Sequence, residues 1–111
     1  MSDCIFCKIV NGDIPSNKVY EDDDFLAFHD IHPKAKIHLL VIPKKHIPTL
    51  MDIQEKDIEL IGKLHLVIQK IARQLHIDEE GFRVINNCKE HGGQEVFHLH
   101  YHVLGGEKLV F

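Results

Sequence analysis

Three histidines occupy alternate positions, His98, His100 and His102, within the run Val96-Phe97-His98-Leu99-His100-Tyr101-His102-Val103-Leu104. Successive side chains of a strand point to opposite faces, so the three imidazoles share one face while Phe97, Leu99, Tyr101 and Val103 share the other and cover a core. Residues two apart lie about 6.5 to 7 Å apart along a strand, so one small ion or phosphate touches two neighbouring rings but not all three. Neutral imidazole is a good metal ligand. With an ordinary pKa of about 6.5 it is also a nucleophile that is largely unprotonated at neutral pH. A metal cluster and a nucleophile flanked by helpers are both open at this point. Just upstream lies a loop, Asn86 to Gln94, whose paired Gly92 and Gly93 allow positive φ and close approach of backbone amides to an anion. A phosphate fits beside these histidines.

Cys4-Ile5-Phe6-Cys7 has the two-residue gap that lets both thiolates reach one Zn²⁺, and a closed site then wants two further N or S ligands. A thioredoxin-like reading needs the pair after a strand, and only three residues precede Cys4. With no second close Cys pair, the missing ligands are histidines. The stripe offers His98, and the strand-ending segment Pro43-Lys44-Lys45-His46 offers His46. Cys88, alone in a loop, reads as an incidental thiol.

These groups need a scaffold, and the pattern of the chain supplies one. Cys4 to Val10 suits a short helix closed at Asn11-Gly12. Lys18 to Glu21 and Phe25 to His29 flank the acidic stretch Glu21 to Asp24 as a hairpin. His38 to Ile42 is a buried strand stopped at Pro43. Asp52 with Glu55 has the form of a capping box, followed by Ile61, Leu64, Ile68, Ile71, Ala72 and Leu75 at spacings of three and four, which predicts one long helix over residues 53–76. Leu60 and Val67 widen its apolar stripe enough to meet another subunit. Phe82 to Asn86 and Val96 to Leu104 are the last strands, the second ended by Gly105-Gly106. The sum is an α+β fold, a mostly antiparallel sheet with helices packed on it.

The chain has 111 residues, 44% apolar and 27% charged, which allows a single domain over 1–111 and is far from the composition of disordered chains. Its formal charge of -4 disfavours a protein that grips nucleic acid by bulk electrostatics. Apolar runs such as Leu39 to Ile42 are far shorter than the roughly 20 residues of a membrane span or the roughly 7 to 15 of a signal-peptide core. Three cysteines without such a signal point to a reducing cytoplasm.

The histidine run with Gly92-Gly93-Gln94-Glu95-Val96 before it and Gly105-Gly106 after it, together with Cys4-Ile5-Phe6-Cys7-Lys8-Ile9, Ala27-Phe28-His29-Asp30-Ile31 and His38 to Ile47, resembles the histidine triad (HIT) nucleotide-binding proteins. The branch it resembles is that of small nucleoside phosphoramidate hydrolases, since related nucleotidyl transferases carry glutamine at the third histidine. The motifs run in family order through nearly the whole chain. The resemblance implies a HIT-like fold, a five-stranded sheet with one long and one short helix, continued across a homodimer.

It also implies the chemistry. His100 would attack the α-phosphorus of a purine nucleoside monophosphate joined through nitrogen to a leaving group, in adenosine phosphoramidate or aminoacyl-adenylate type substrates. A nucleotidyl-histidine would form, and water would release AMP or GMP. His102, His38, Asn86 and the backbone near Gly93 and Gln94 would bind phosphate oxygens. Glu95 and Val96 would continue that wall. His98 would orient the site while joining Cys4, Cys7 and His46 around a structural Zn²⁺. Asp30 would hold the ribose hydroxyls, and Ile5, Phe6, Ile9, Ile14, Phe28, His29 and Ile31 would wall the base. Lys34, Lys36, Lys44 and Lys45 would steer anions or simply be solvated. Two residues depart from the family pattern: Glu95 stands where relatives have a hydroxyl residue, and Glu107 where an arginine is common. Either carboxylate would repel a phosphate unless turned away. The tail, ending at Phe111, is shorter than in several relatives. The rival readings are a dinucleoside polyphosphate hydrolase of the same superfamily and a non-catalytic nucleotide-binding scaffold.

Overall fold

The acidic stretch is a turn because Asp22 closes it: its Oδ1 accepts the N–H groups of Asp24 and Phe25, both at 2.8 Å. In the computed structural model, which describes residues 3–110 and so leaves Phe111 outside, β1 (Lys18–Glu21) and β2 (Phe25–His29) pair antiparallel across this turn as the pattern predicts. β2 pairs with β3 (Ile37–Pro43), placing Phe28 opposite Leu40. Later in the chain β4 (Arg83–Ile85) pairs with β5 (Tyr101–Gly105), and β5 returns to β3, so the five strands run in the order β1-β2-β3-β5-β4, all antiparallel. Central β3 is apolar on both sides because both its faces are covered.

Strand alternation divides the sheet into two faces. Phe25, Ala27, Leu39, Val41 and Val103 pack with Leu64, Val67, Ile68, Ile71 and Ala72 of the long helix α2 (Ile58–Gln74). Leu26, Phe28, Leu40 and Ile42 turn the other way and pack with Phe6 and Ile9 of the short helix α1 (Ile5–Val10). Cys4 caps α1, its Sγ accepting the Cys7 N–H at 3.3 Å. The cysteine pair is therefore built into the turn that starts the helix.

Three details depart from the sequence pattern. α2 begins at Ile58, because two 3₁₀ turns precede it, Leu50–Asp52 and Glu55–Asp57, and the capping pairs are Thr49 with Asp52 and Gln54 with Asp57 in place of Asp52 with Glu55. Val67 lies in the core, and the exposed apolar side chains of α2 are Ile58 and Leu66. β5 begins only at Tyr101, so Val96 to His100 run outside the ladder. Leu99 N–H donates instead to the Ile47 carbonyl, at 2.6 Å. Diversion from the sheet leaves Phe97 48% exposed, away from the core that alternation assigned it, while Leu99 stays buried.

Candidate active site

Although His98 and His100 lie outside the regular strand, the three imidazoles still share the α1 face. His100 and His102 stand with ring centroids 5.1 Å apart, and Phe6 meets His98 and His100 edge-on at 5.9 and 5.1 Å. His98 and His100 are each oriented by a backbone carbonyl, His102 by the His38 ring. His100 Nδ1 lies 2.8 Å from the His98 carbonyl. A carbonyl only accepts, so the proton sits on Nδ1 and the Nε2 lone pair is free. Asn86 Nδ2 donates to the carbonyl of His100 itself, at 3.0 Å, pinning the same residue from its other end. Burial holds His100 below the ordinary imidazole pKa, against the carbonyl bond and the charges of Asp30 and Glu95 that oppose it. A neutral ring with an exposed lone pair is what a nucleophile requires.

His38, buried on β3, shows the opposite arrangement. Its Nδ1 accepts the Lys34 backbone N–H at 3.0 Å, so the neutral ring carries its proton on Nε2. That Nε2 donates to His102 Nδ1 at 2.9 Å and lies 3.4 Å from Asp30 Oδ2. His102 must then hold its own proton on Nε2, the one ring donor left to face a ligand. Burial is the main cause that pushes His102 down to about 4, with His100 and His38 adding to it. The relay runs from a backbone amide through two neutral rings.

A second cluster closes around the start of α1. Cys4 Sγ and Cys7 Sγ lie 3.3 and 3.5 Å from His98 Nδ1, Cys7 Sγ lies 3.3 Å from His46 Nδ1, and the two Nδ1 atoms are 3.3 Å apart. Bonds of about 2.3 Å to sulfur and about 2.0 Å to nitrogen at tetrahedral angles predict about 3.5 Å between S and N and about 3.3 Å between the two N. The four groups fit a tetrahedral zinc. His98 is fully buried and donates Nε2–H to the Pro43 carbonyl at 2.8 Å, which aims its Nδ1 lone pair into the cluster. His46 follows Lys45, whose Nζ is 2.6 Å from the buried carboxylate of Asp57, so the start of α2 anchors the segment that carries this ligand. Burial, and then Cys4 beside it, push the Cys7 thiol up to about 11, so a cation binding here must displace protons.

Asp30, His38 and His102 also bring ligand atoms within 4.8 Å of one another. Their tautomers do not suit a metal: the Lys34 amide reserves the His38 lone pair at Nδ1 and leaves a proton on the nitrogen that would have to coordinate.

Residues 11–109 match the HIT domain family model. The chain belongs to the HIT family. This HIT domain is 48% identical over 105 residues to the purine nucleoside phosphoramidase of Escherichia coli strain K12, covering 95% of this chain and 88% of that one. A histidine triad protein from Clostridium difficile superposes with TM-score 0.97 at 58% identity, over 100% of this chain and 96% of the other. A HIT family hydrolase from Legionella pneumophila Philadelphia 1 gives 0.96 at 45%, over 98% and 97%. The expected family and its five-stranded α+β fold are both borne out.

Around the imidazoles of this HIT domain the remaining expected site residues are unevenly placed. Phe6, Ile9 and Phe28 are buried in one cluster, with Ile14 and Val96 packed on its edge. Asp30 stands at the end of β2, its Oδ1 accepting the His32 N–H at 2.8 Å and its Oδ2 facing His38. His29 shares by alternation the face of Phe25 and Ala27, away from the triad. Ile31 is 85% exposed and Ile5 about half so. Gly93 has φ +81, as the loop reading requires. The Gln94 side chain is fully engaged: Oε1 accepts the Lys89 N–H at 2.8 Å, and Nε2 donates to the carbonyls of Pro48 and Val96. It braces the loop, and the N–H groups of Gly93 and Gln94 are themselves donated within it, to the Glu90 and Lys89 carbonyls, both at 3.0 Å. Glu95 is exposed. Glu107 is turned away from the imidazoles, its Oε2 accepting the Lys36 N–H at 2.8 Å. Side-chain motifs alone miss the backbone groups of Lys34, Pro43 and His98, which decide where every proton sits.

Proposed function

We propose that this protein hydrolyses the P–N bond of purine nucleoside phosphoramidates, and by the same attack the P–O bond of aminoacyl-adenylate type compounds with a carboxylate leaving, and releases AMP or GMP. The observation that carries the reading is the tautomer of His100, with Nδ1–H on the His98 carbonyl and the Nε2 lone pair free. The name of the Escherichia coli relative supports the substrate class. In the proposed reaction His100 Nε2 attacks the α-phosphorus in line. The P–N bond breaks with its electron pair on nitrogen, which takes up a proton and departs as the amine. His102 Nε2–H donates to a phosphate oxygen or to that nitrogen, while His38 holds its ring in place. Water then attacks phosphorus, the bond to His100 breaks, and the mononucleotide leaves. Asp30 takes the ribose hydroxyls, and Phe6, Ile9 and Phe28 back the base. Asn86, with one amide N–H committed to the His100 carbonyl, has a second for phosphate. Cys4, Cys7, His46 and His98 would hold a zinc ion with all four of its usual ligands supplied by the chain, so that it would tie α1 to the sheet and supply no chemistry to the substrate.

The protein acts as a homodimer of single domains in this reading. Exposed Ile58 and Leu66 on α2 support it, as does β4, a three-residue strand at the sheet edge with Val84 outward. A reducing cytoplasm suits the two thiols of the zinc cluster.

The deciding experiment replaces His100 with Asn and follows turnover of a fluorogenic adenosine phosphoramidate. The expected result is a loss of about 10³-fold or more with mononucleotide affinity kept, and an adduct on His100 trapped by rapid-quench mass spectrometry in the parent. Unchanged turnover, or absence of any adduct, sinks the role of His100, and a parent that turns over no phosphoramidate is a binding protein.

A further inference from the structure

The turn that joins β2 to β3 is fastened at both ends. At its start the Asp30 N–H donates to the His38 carbonyl and the Asp30 carboxylate caps His32 N–H, at 3.0 and 2.8 Å. In its middle the Lys34 N–H reaches His38 Nδ1. At its end, one residue before β3, the Lys36 N–H donates to Glu107 Oε2 across 71 positions of sequence. Glu107 can reach because Gly106 lies flat against the turn. Gly106 has φ +83, and a Cβ there would stand 2.9 Å from Ile37 Cγ1 and 3.2 Å from Lys36 Cβ, too close for any other residue without displacement. The close approach is built in, and the carboxylate that follows it meets a backbone amide with a charge-assisted bond, roughly twice as strong as a neutral one.

We infer that Glu107 is a positioning residue: by holding Lys36 it keeps the Lys34 amide under His38, and so fixes the His38 tautomer that orients His102. Lys34 is two residues from Lys36, so a loosened end of the turn moves the amide on which the tautomer depends. The Asp30 carboxylate, at 3.4 Å from Nε2, lies beyond ordinary hydrogen-bond length and pulls on the proton only through its charge. Without the amide, Nδ1 competes for the proton, and a ring protonated there presents a lone pair to His102 and reverses the relay. The kinetic half of this inference rests on the phosphoramidate reading; the tautomer half does not.

The test uses the full chain with its zinc, labelled with ¹⁵N-histidine, as wild type, Glu107→Ala and Glu107→Gln. Long-range ¹H–¹⁵N spectra are expected to show His38 as a single Nε2–H tautomer in the wild type and as a mixture in Glu107→Ala. In that variant kcat for an adenosine phosphoramidate should fall about three- to tenfold, the scale of one lost hydrogen bond, with KM within about twofold. Glu107→Gln keeps an acceptor oxygen and should restore both the spectrum and kcat. A single His38 tautomer in Glu107→Ala overturns the inference, as does a Glu107→Gln variant that behaves like the alanine one. If the wild type turns over no phosphoramidate, the functional reading fails and the spectra still decide the positioning role.

Discussion

His98 and His38 are both buried histidines on the same face of one sheet, yet they are prepared for opposite tasks. A backbone carbonyl takes the Nε2 proton of His98 and leaves a lone pair aimed at two thiols and a second imidazole. A backbone amide occupies the Nδ1 lone pair of His38 and leaves a proton aimed at His102. Burial pushes His98 down to about 4 and lowers His38 as well, so loss of charge does not separate them. The backbone partner does. The distances agree: the first cluster stands at the separations of a coordination sphere, the second at those of a hydrogen-bonded chain. His100 follows the His98 pattern with its nitrogens exchanged, its Nε2 lone pair without a hydrogen-bond partner among the described residues.

The largest expected effects set these two regions against each other. His100→Asn is expected to cost about 10³-fold or more in kcat/KM with thermal stability and zinc content kept. Cys4→Ser should do the reverse. Elemental analysis should move from one zinc per chain to none, and Tm should fall on the order of 10 °C, the scale of a loss of about 2 kcal/mol in a chain of this size. Its kcat/KM should stay within about tenfold of wild type, because α1 meets His100 through the Phe6 ring and not through the thiols. A Cys4→Ser protein that is fully stable, or one that is dead while stable, would erase the distinction between a tether and a reaction centre.

How much of this was legible in the sequence follows from what side-chain patterns encode. The hairpin, β3 and the α1 face were, because turn chemistry and apolar alternation act locally and the structure leaves them in place. The Cys pair was legible as metal ligands by spacing, His46 and His98 as its partners through the family resemblance, and the cluster brings those four together. The start of β5 was not: alternation of side chains survives in any extended chain, and whether backbone amides join a ladder depends on a distant partner, here the Ile47 carbonyl. The start of α2 was misplaced because two capping pairs lie close together and either reads as a helix start. The bracing role of the Gln94 side chain was not legible either, since a buried amide is claimed by whichever carbonyls the loop leaves unpaired. Tautomers are set by main-chain atoms that every residue possesses, so no motif reveals them.

A smaller effect sharpens the comparison at His38. Replacing it with Gln removes the imidazole, and since an amide cannot pass a proton along the relay to His102, kcat should fall by about 10- to 100-fold, the usual contribution of a positioned proton-transfer group. Zinc should remain at one per chain. Two zincs in the wild type, falling to one in His38→Gln, would make Asp30, His38 and His102 a ligand set and refute the tautomer argument. Thermal stability should change little in the same variant, since a glutamine amide can still accept the Lys34 N–H.

The smallest effect is one of pH, and its sign follows from the direction of the shift. Burial holds His102 at about 4 in the folded chain, whereas an unfolded histidine titrates near about 6.5. Between those values the unfolded chain binds a proton that the folded chain refuses, so stability falls as pH falls. The contribution of His102 is thus fully present above pH about 6.5, is lost progressively toward about 4, and changes no further below that. Zinc release and the lowered carboxylates of Asp22 and Asp57 add acid lability of their own, but they do so equally with or without this ring. The informative quantity is therefore a difference: Tm measured from pH 7.5 to 4.5 in wild type and in His102→Gln, where the variant should show the shallower decline by a few degrees. Parallel curves would mean that the ring takes up its proton in the folded state as readily as in water, and a relay of neutral imidazoles could not then persist at the lower end of that range.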